Sequence, residues 1–161
     1  MADRTGRSER SAYETALVVL GSRGHSREEL RRKLFRKGFE RSEVESALER
    51  LSESRLVDDA QFAGDFARSK LTSQRPASVR RVRQELIRRG VDAHVASEAL
   101  DLIVAEEGID ETTGLEVAAR KKLLSMGSLD PAVKRRRLFS YLARKGYDLD
   151  DINRLLRRTF E

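Results

Sequence analysis

The chain of 161 residues has no cysteine, no tryptophan, only two prolines and only two histidines, and aromatic residues make up 6% of it. The lack of cysteine excludes disulfides, thiolate metal sites and cysteine nucleophiles, and is typical of a reducing compartment. With so few aromatic side chains, a core must be built mainly from Leu, Val, Ile and Ala, which favours helices over sheets. The scarcity of proline also permits long helices.

No apolar run reaches the length needed to cross a membrane, and residues 1–10 are polar, without the apolar centre of a secretion signal. We therefore expect a cytoplasmic protein whose residues 1–10 form a disordered arm. The sequence contains no phosphate-binding loop, dinucleotide fingerprint or paired metal-ligand motif. His25 and His94 are interpreted as solvated residues, so we expect no catalytic residue, no cofactor and no metal ion.

Charge, by contrast, is abundant. Charged residues are 37% of the chain, the net charge is +6 and the isoelectric point is about 10.0. A basic balance favours polyanionic partners such as nucleic acid or an acidic protein surface. Disorder is the alternative at this charge content, but apolar residues recur at helical spacing in nearly every segment, which indicates a folded chain.

A pattern of basic helix, glycine and acidic helix occurs three times, around Gly38, Gly90 and Gly146, with apolar residues at identical offsets from each glycine. Such repeats indicate an array of small helical units that presents an extended surface. The pattern predicts nine helices, no strand, and a left-handed conformation at each glycine, where a helix ends. Capping patterns predict helix starts at Ser26 and at Asp130.

The predicted units span residues 11–53, 54–107 and 108–161. Within the second unit, Pro76 is predicted to lie in the first turn of a helix, where its missing amide costs nothing.

The middle helix of each unit is basic, with net charges of +4, +4 and +5 over residues 26–37, 76–89 and 130–145. The helix that follows each glycine is acidic, with net charges of −3, −5 and −1. Complementarity to helix dipoles, or pairing between neighbouring helices, would also produce this sorting. Neither explains where the arginines lie around each helix.

Three arginines precede the second and third glycines by ten, nine and two residues. At 100° per residue these side chains point outward or sideways, so we expect an exposed positive strip across the second and third units. The strip consists of Arg80, Arg81, Arg88, Arg136, Arg137 and Arg144. The first unit has Glu28, Glu29 and Arg36 at the same offsets. We expect both glutamates to be exposed, so that reversing their charge does little harm.

The helix–glycine–helix repeat, together with Arg55-Leu56-Val57-Asp58-Asp59 leading to Phe62-Ala63, resembles the RecX family. The segment Arg83-Gln84-Glu85-Leu86-Ile87-Arg88-Arg89-Gly90-Val91 is similar to the central signature of that family. The resemblance covers residues 11–161. The chain departs from the family pattern at Arg75-Pro76, where the family often has glycine-proline.

This resemblance implies an all-α fold, with three tandem three-helix units forming an elongated, curved helical array. It implies a modulator of the RecA recombinase that is not an enzyme. Such proteins bind the RecA filament on single-stranded DNA, lie along its groove, and suppress its ATPase, strand-exchange and co-protease activities. We expect a monomer without a membrane partner, and leave open whether duplex DNA is also bound.

A second hypothesis is a general DNA-binding protein built from helix-turn-helix-like units. That function needs base-reading side chains on a recognition helix, whereas the basic helices offer mostly Arg and Lys, which favour phosphate contacts.

Overall fold

The computed structural model describes residues 10–74 and 76–160. Apart from its last residue, the predicted disordered arm lies outside these ranges. Nine helices and no strand are found in the described residues, as predicted. The helices are α1 (Ala12–Leu20), α2 (Arg27–Arg36), α3 (Arg41–Glu53), α4 (Asp59–Leu71), α5 (Val79–Arg88), α6 (Ala93–Glu106), α7 (Glu111–Leu124), α8 (Pro131–Lys145) and α9 (Leu149–Phe160).

Most helices begin at a residue whose side chain accepts a hydrogen bond from a free backbone amide of the first turn. Ser26 accepts from the Glu29 amide while the Glu29 carboxylate accepts from the Ser26 amide, which is the predicted capping box. Asp130 caps α8, and Pro131 occupies its first position. The prediction for Pro76 is wrong: α5 starts at Val79, because Ser78 provides the capping hydroxyl and Pro76 precedes it.

Each group of three consecutive helices encloses its own apolar cluster, so we name α1–α3, α4–α6 and α7–α9 units one, two and three. The buried positions repeat at the predicted offsets from the glycines. Leucines eight and four residues before the glycine are fully buried in units one and three, and Val82 and Leu86 take these positions in unit two. Val44, Ala96 and Ile152 are the equivalent residues after the glycine.

The three repeat glycines have backbone φ angles of +86°, +87° and +88°, which confirms the predicted left-handed helix ends. In each case the next residue donates its amide back to a carbonyl of the preceding helix, as Val91 does to Leu86 at 3.1 Å. The chain is thereby turned sharply, so that the acidic helix packs beside the basic one within each unit.

Candidate nucleic-acid and partner interface

The units are joined through the ends of their middle helices. The hydroxyl group of Ser26, at the start of α2, donates a hydrogen bond to the carbonyl of Arg89, at the end of α5. Ser78, at the start of α5, donates in the same way to the carbonyl of Lys145, at the end of α8, at 3.1 Å. Both serines also accept from an amide of their own helix, so one hydroxyl caps two helices. As a result α8, α5 and α2 follow one another end to end.

This double role was not predicted from the sequence. The only signal was spacing, because Ser26 and Ser78 each precede the glycine of their own unit by twelve residues. The carbonyl to which each serine donates lies at a helix end of the following unit, which spacing alone does not reveal.

The two junctions differ in their electrostatics. At the first, the Arg89 guanidinium lies 2.5 Å from the Glu29 carboxylate, and the Arg27 amide donates to Asp59 at 2.7 Å. At the second, the Val79 amide likewise donates to Glu111 at 2.8 Å, but no ion pair among the described residues joins the two units, and the Arg81 guanidinium donates to the carbonyl of Arg144 at 3.2 Å. The two junctions therefore share a contact from a backbone amide to a carboxylate, and only the first adds an ion pair between units.

All six arginines of the predicted strip have exposed side chains. The guanidinium groups of four of them make no ion pair or hydrogen bond within the described ranges: Arg80, Arg136, Arg137 and Arg144. Arg81 pairs with Glu85 of its own helix at 3.2 Å, while its contact to the Arg144 carbonyl brings the arginines of α5 next to those of α8.

The remaining strip residue, Arg88, lies at the far end of α5. It follows Arg81 by seven residues, a rise of about 10 Å along the helix. Its carbonyl accepts from Arg32 of unit one at 3.3 Å. The strip is thus one row along two helices stacked end to end, and the first junction bounds it on one side.

Pairing between neighbouring helices accounts for the charge sorting in unit one only. There Arg31 of α2 binds Glu45 of α3 through two hydrogen bonds of 2.7 and 3.0 Å. Between α5 and α6, and between α8 and α9, the described residues form no ion pair. The basic helices of units two and three are therefore not neutralised by the acidic helix that follows them.

The expectation that Glu28 and Glu29 are exposed is wrong, whereas the expected effect of reversing their charge stays a prediction. The Glu29 side chain is only 13% exposed because Arg23 and Arg89 cover it. Glu28 binds Arg31 and Arg32 and packs against Gly90 of unit two. The tandem arrangement places the end of the next unit on these residues, which a helical wheel drawn for one unit cannot show.

The pKa of Glu29 lies below its usual range. Burial alone would raise the pKa of this carboxyl group, but hydrogen bonds from Arg23 and from the Ser26 amide, with the charges of Arg23 and Arg89, outweigh burial. A carboxyl pKa that is lower in the folded than in the unfolded state contributes stability above the unfolded pKa. That contribution is lost as the pH falls through the lowered pKa.

We expect Glu29→Gln to lower the free energy of unfolding by about 1–2 kcal/mol at neutral pH, because it removes charge-assisted hydrogen bonds from Arg23 and Arg89. Urea unfolding measures this effect, with Glu49→Gln on the exposed face of α3 as the control. The difference from wild type should shrink as acid protonates Glu29 itself. An effect no larger than that of the control would show that the ion pair does not hold the junction.

His25 also differs from its predicted solvated state, whereas His94 is exposed as expected. His25 is 3% exposed, with Nδ1 lying 2.9 Å from the carbonyl oxygen of Arg23 and Nε2 2.8 Å from Nζ of Lys33. Burial lowers its pKa, assisted by the charges of Arg23 and Lys33. These contacts fix a neutral ring that supports the turn before α2, which is a structural role.

The part of the chain that the structure describes contains no group of three or more His, Cys, Asp or Glu side chains placed to hold a metal ion. None of its helices is both long and apolar enough to cross a membrane.

The fold defines the class of this protein as an all-helical repeat of three three-helix units in tandem. Family models for the first, second and third three-helix domains of RecX match residues 12–51, 58–100 and 110–156. Regulatory protein RecX of Prosthecochloris aestuarii is 36% identical over 147 residues, covering 91% of this chain and 92% of that protein. Regulatory protein RecX of Amycolatopsis mediterranei is 38% identical over 138 residues, covering 86% and 77% respectively.

The crystal structure of RecX from Lactobacillus salivarius has the same fold, with a TM-score of 0.74 at 19% identity, covering 91% of this chain and 93% of that one. On the family matches and the identities to its relatives, the chain belongs to the RecX family of regulatory proteins.

Proposed function

We propose that the protein binds RecA filaments on single-stranded DNA and thereby lowers the ATPase, strand-exchange and co-protease activities of RecA. Membership of the RecX family supports the regulatory role. The observation that carries the binding mode is the row of exposed arginines on α5 and α8, four of which have guanidinium groups without a partner within the described ranges. Guanidinium groups arranged in this way suit phosphate contacts, which position a protein without reading sequence.

The mechanism requires no chemistry from this chain. Three units in tandem offer an extended surface, which is suited to contacting several neighbouring subunits of a filament at once. Contacts of Arg80, Arg136 and Arg137 with phosphates would hold the array in place while it blocks filament growth or subunit rearrangement. We propose that it acts as a cytoplasmic monomer without a cofactor, and the unit boundaries at residues 53–54 and 107–108 remain predictions.

We expect the protein to lower ATP hydrolysis by RecA on single-stranded DNA at stoichiometric or lower ratios, and to hydrolyse no ATP itself. A coupled ATPase assay at low salt, with and without this protein, measures the effect. A DNA-binding protein without affinity for RecA would inhibit only when it is added in excess over the DNA, and raising the DNA concentration would relieve it. Unchanged hydrolysis at saturating protein would remove the proposed function.

A further inference from the structure

A groove of about 1000 Å³ opens between units two and three, beside the arginine row. Its walls come from three parts of the chain: the connection from α4 to α5, one face of α7, and the second half of α8. The residues that matter to its chemistry are Gln74, Pro76, Lys121, Lys122, Tyr141 and Lys145. No predicted site includes any of them, although Lys121-Lys122 is a visible basic pair in the sequence.

Among the residues that line the groove, three are lysines and none is acidic. Lys121, Lys122 and Lys145 line it, and none of the three forms an ion pair with a carboxylate among the described residues. Nζ of Lys122 and Nζ of Lys145 lie 5.4 and 5.7 Å from the ring centroid of Tyr141. Ammonium groups gathered in a concave site, without carboxylate partners of their own, raise the local concentration of anions.

The two tyrosines of the groove differ in whether their hydroxyl groups are available to a ligand. Tyr147 is buried and donates its hydroxyl to the carbonyl of Gly114 at 3.2 Å, so its polar atom is engaged in holding unit three together. Tyr141 is half-buried, and its hydroxyl has no hydrogen-bond partner within the described ranges. The apolar wall beside it includes Val117, whose side chain is exposed. A ligand can therefore meet both a planar aromatic surface and a free hydroxyl.

We propose that this groove binds single-stranded nucleic acid, with the lysines on phosphates and Tyr141 against a base. Sites for single strands combine a basic groove with aromatic rings, and this pairing is what distinguishes the groove from the arginine row. An acidic peptide would satisfy the ammonium groups but would leave the ring and the apolar wall without a matching surface. A duplex offers no unstacked base to Tyr141.

The groove continues into the arginine row. Lys145 and Pro76 also line a second, smaller depression that reaches Arg81. One strand can therefore run from Tyr141, over the junction, to Arg81 of α5. The proposal deepens the proposed function, on which it rests for its biological setting, but it can be tested with the protein alone.

The absence of tryptophan provides a direct test. Tyr141→Trp places a single fluorophore in the groove, and we call this variant the groove reporter. Tyr13→Trp, the control reporter, places one in unit one, where Tyr13 is also half-buried beside a cation, the Arg50 guanidinium, at 4.1 Å.

We expect oligothymidylate to quench the fluorescence of the groove reporter at low salt, polyglutamate to leave it unchanged, and neither polymer to affect the control reporter. Quenching of the groove reporter by polyglutamate alone would identify an acidic-peptide site and overturn the proposal. Equal quenching of both reporters by oligothymidylate would also overturn it, because binding would then not be specific to the groove.

A second variant keeps the native tyrosines. The double substitution Lys121→Gln with Lys122→Gln removes two expected phosphate contacts. The slope of the logarithm of the binding constant for oligothymidylate against the logarithm of the salt concentration should therefore become shallower by about 1.4. Affinity at about 0.1 M salt should fall roughly tenfold or more. The matched control, Arg36→Gln with Lys37→Gln at the exposed end of α2, removes the same charge far from the groove and should change neither quantity. Equal losses in both variants would contradict a groove-specific site.

These outcomes are separable from the RecA assay. Suppose ATP hydrolysis by RecA is suppressed, but oligothymidylate does not quench the groove reporter and the lysine variant binds oligothymidylate as wild type does. The groove proposal then fails and the proposed function stands. If the groove reporter is quenched but RecA hydrolysis is unchanged, the groove binds nucleic acid and the proposed function fails.

Discussion

Replacing Arg136, Arg137 and Arg144 with glutamate is expected to weaken binding to RecA filaments by roughly two orders of magnitude at about 0.1 M salt. On a single strand, three phosphate contacts contribute about 2 to the slope of the logarithm of the binding constant against the logarithm of the salt concentration. Removing them should therefore make this slope shallower by about 2. Reversing the charges also adds repulsion. Fluorescence anisotropy of labelled filaments over a range of salt concentrations measures affinity and slope together.

Thermal stability should change little in this variant, because the three side chains are exposed. The contact from Arg81 also survives, since it uses the backbone carbonyl of Arg144 and not its guanidinium group.

The matched control lies in the same unit. Reversing Arg154, Arg157 and Arg158 on α9 changes the net charge equally, and these side chains are exposed as well. We expect the control to lose much less affinity, because α9 is not part of the end-to-end row of α8, α5 and α2. Equal losses would indicate a non-specific effect of net charge. If the first variant kept both affinity and salt slope while remaining folded, its arginines would be a solvated surface and the contact face would lie elsewhere.

Gly90→Ala is expected to destabilise the protein by about 2–4 kcal/mol, the sum of a left-handed strain and an overpacked contact. At φ +87° a side chain strains the backbone, and the new methyl group would also collide with the Glu28 side chain of unit one. The change should therefore loosen the junction that Glu29 and Arg89 stabilise.

Gly38→Ala is the control that separates these two causes. Gly38 has nearly the same backbone angle, φ +86°, but nothing lies within 4 Å of the position that a new methyl group would occupy. Only the backbone strain applies there, so we expect Gly38→Ala to lower the free energy of unfolding by about 1 kcal/mol. Urea unfolding of both variants gives the difference. If the two variants were destabilised equally, close packing at the first junction would have no energetic weight.

The sequence by itself determined most of what depends on neighbours within one or two helical turns, although it misplaced Pro76 relative to the start of α5. Ser26 with Glu29, and Asp130 with Pro131, begin their helices because the capping atoms are three residues or fewer away. The buried apolar positions and the left-handed glycines follow from helical periodicity in the same way. The exposure of Arg80 and Arg136 also follows, because one face of each helix must enter the core of its own unit.

Only the tertiary structure decided what happens between units. Glu29 resembles a surface glutamate in its local sequence, but its partner Arg89 is 60 residues away, and no periodic pattern encodes that contact. Gly38 and Gly90 have the same local signal and the same backbone angle, but one faces open space and the other faces Glu28. Local sequence sets the conformation of each helix end, whereas the stacking of units decides which ends are covered, because covering depends on residues far away in the chain.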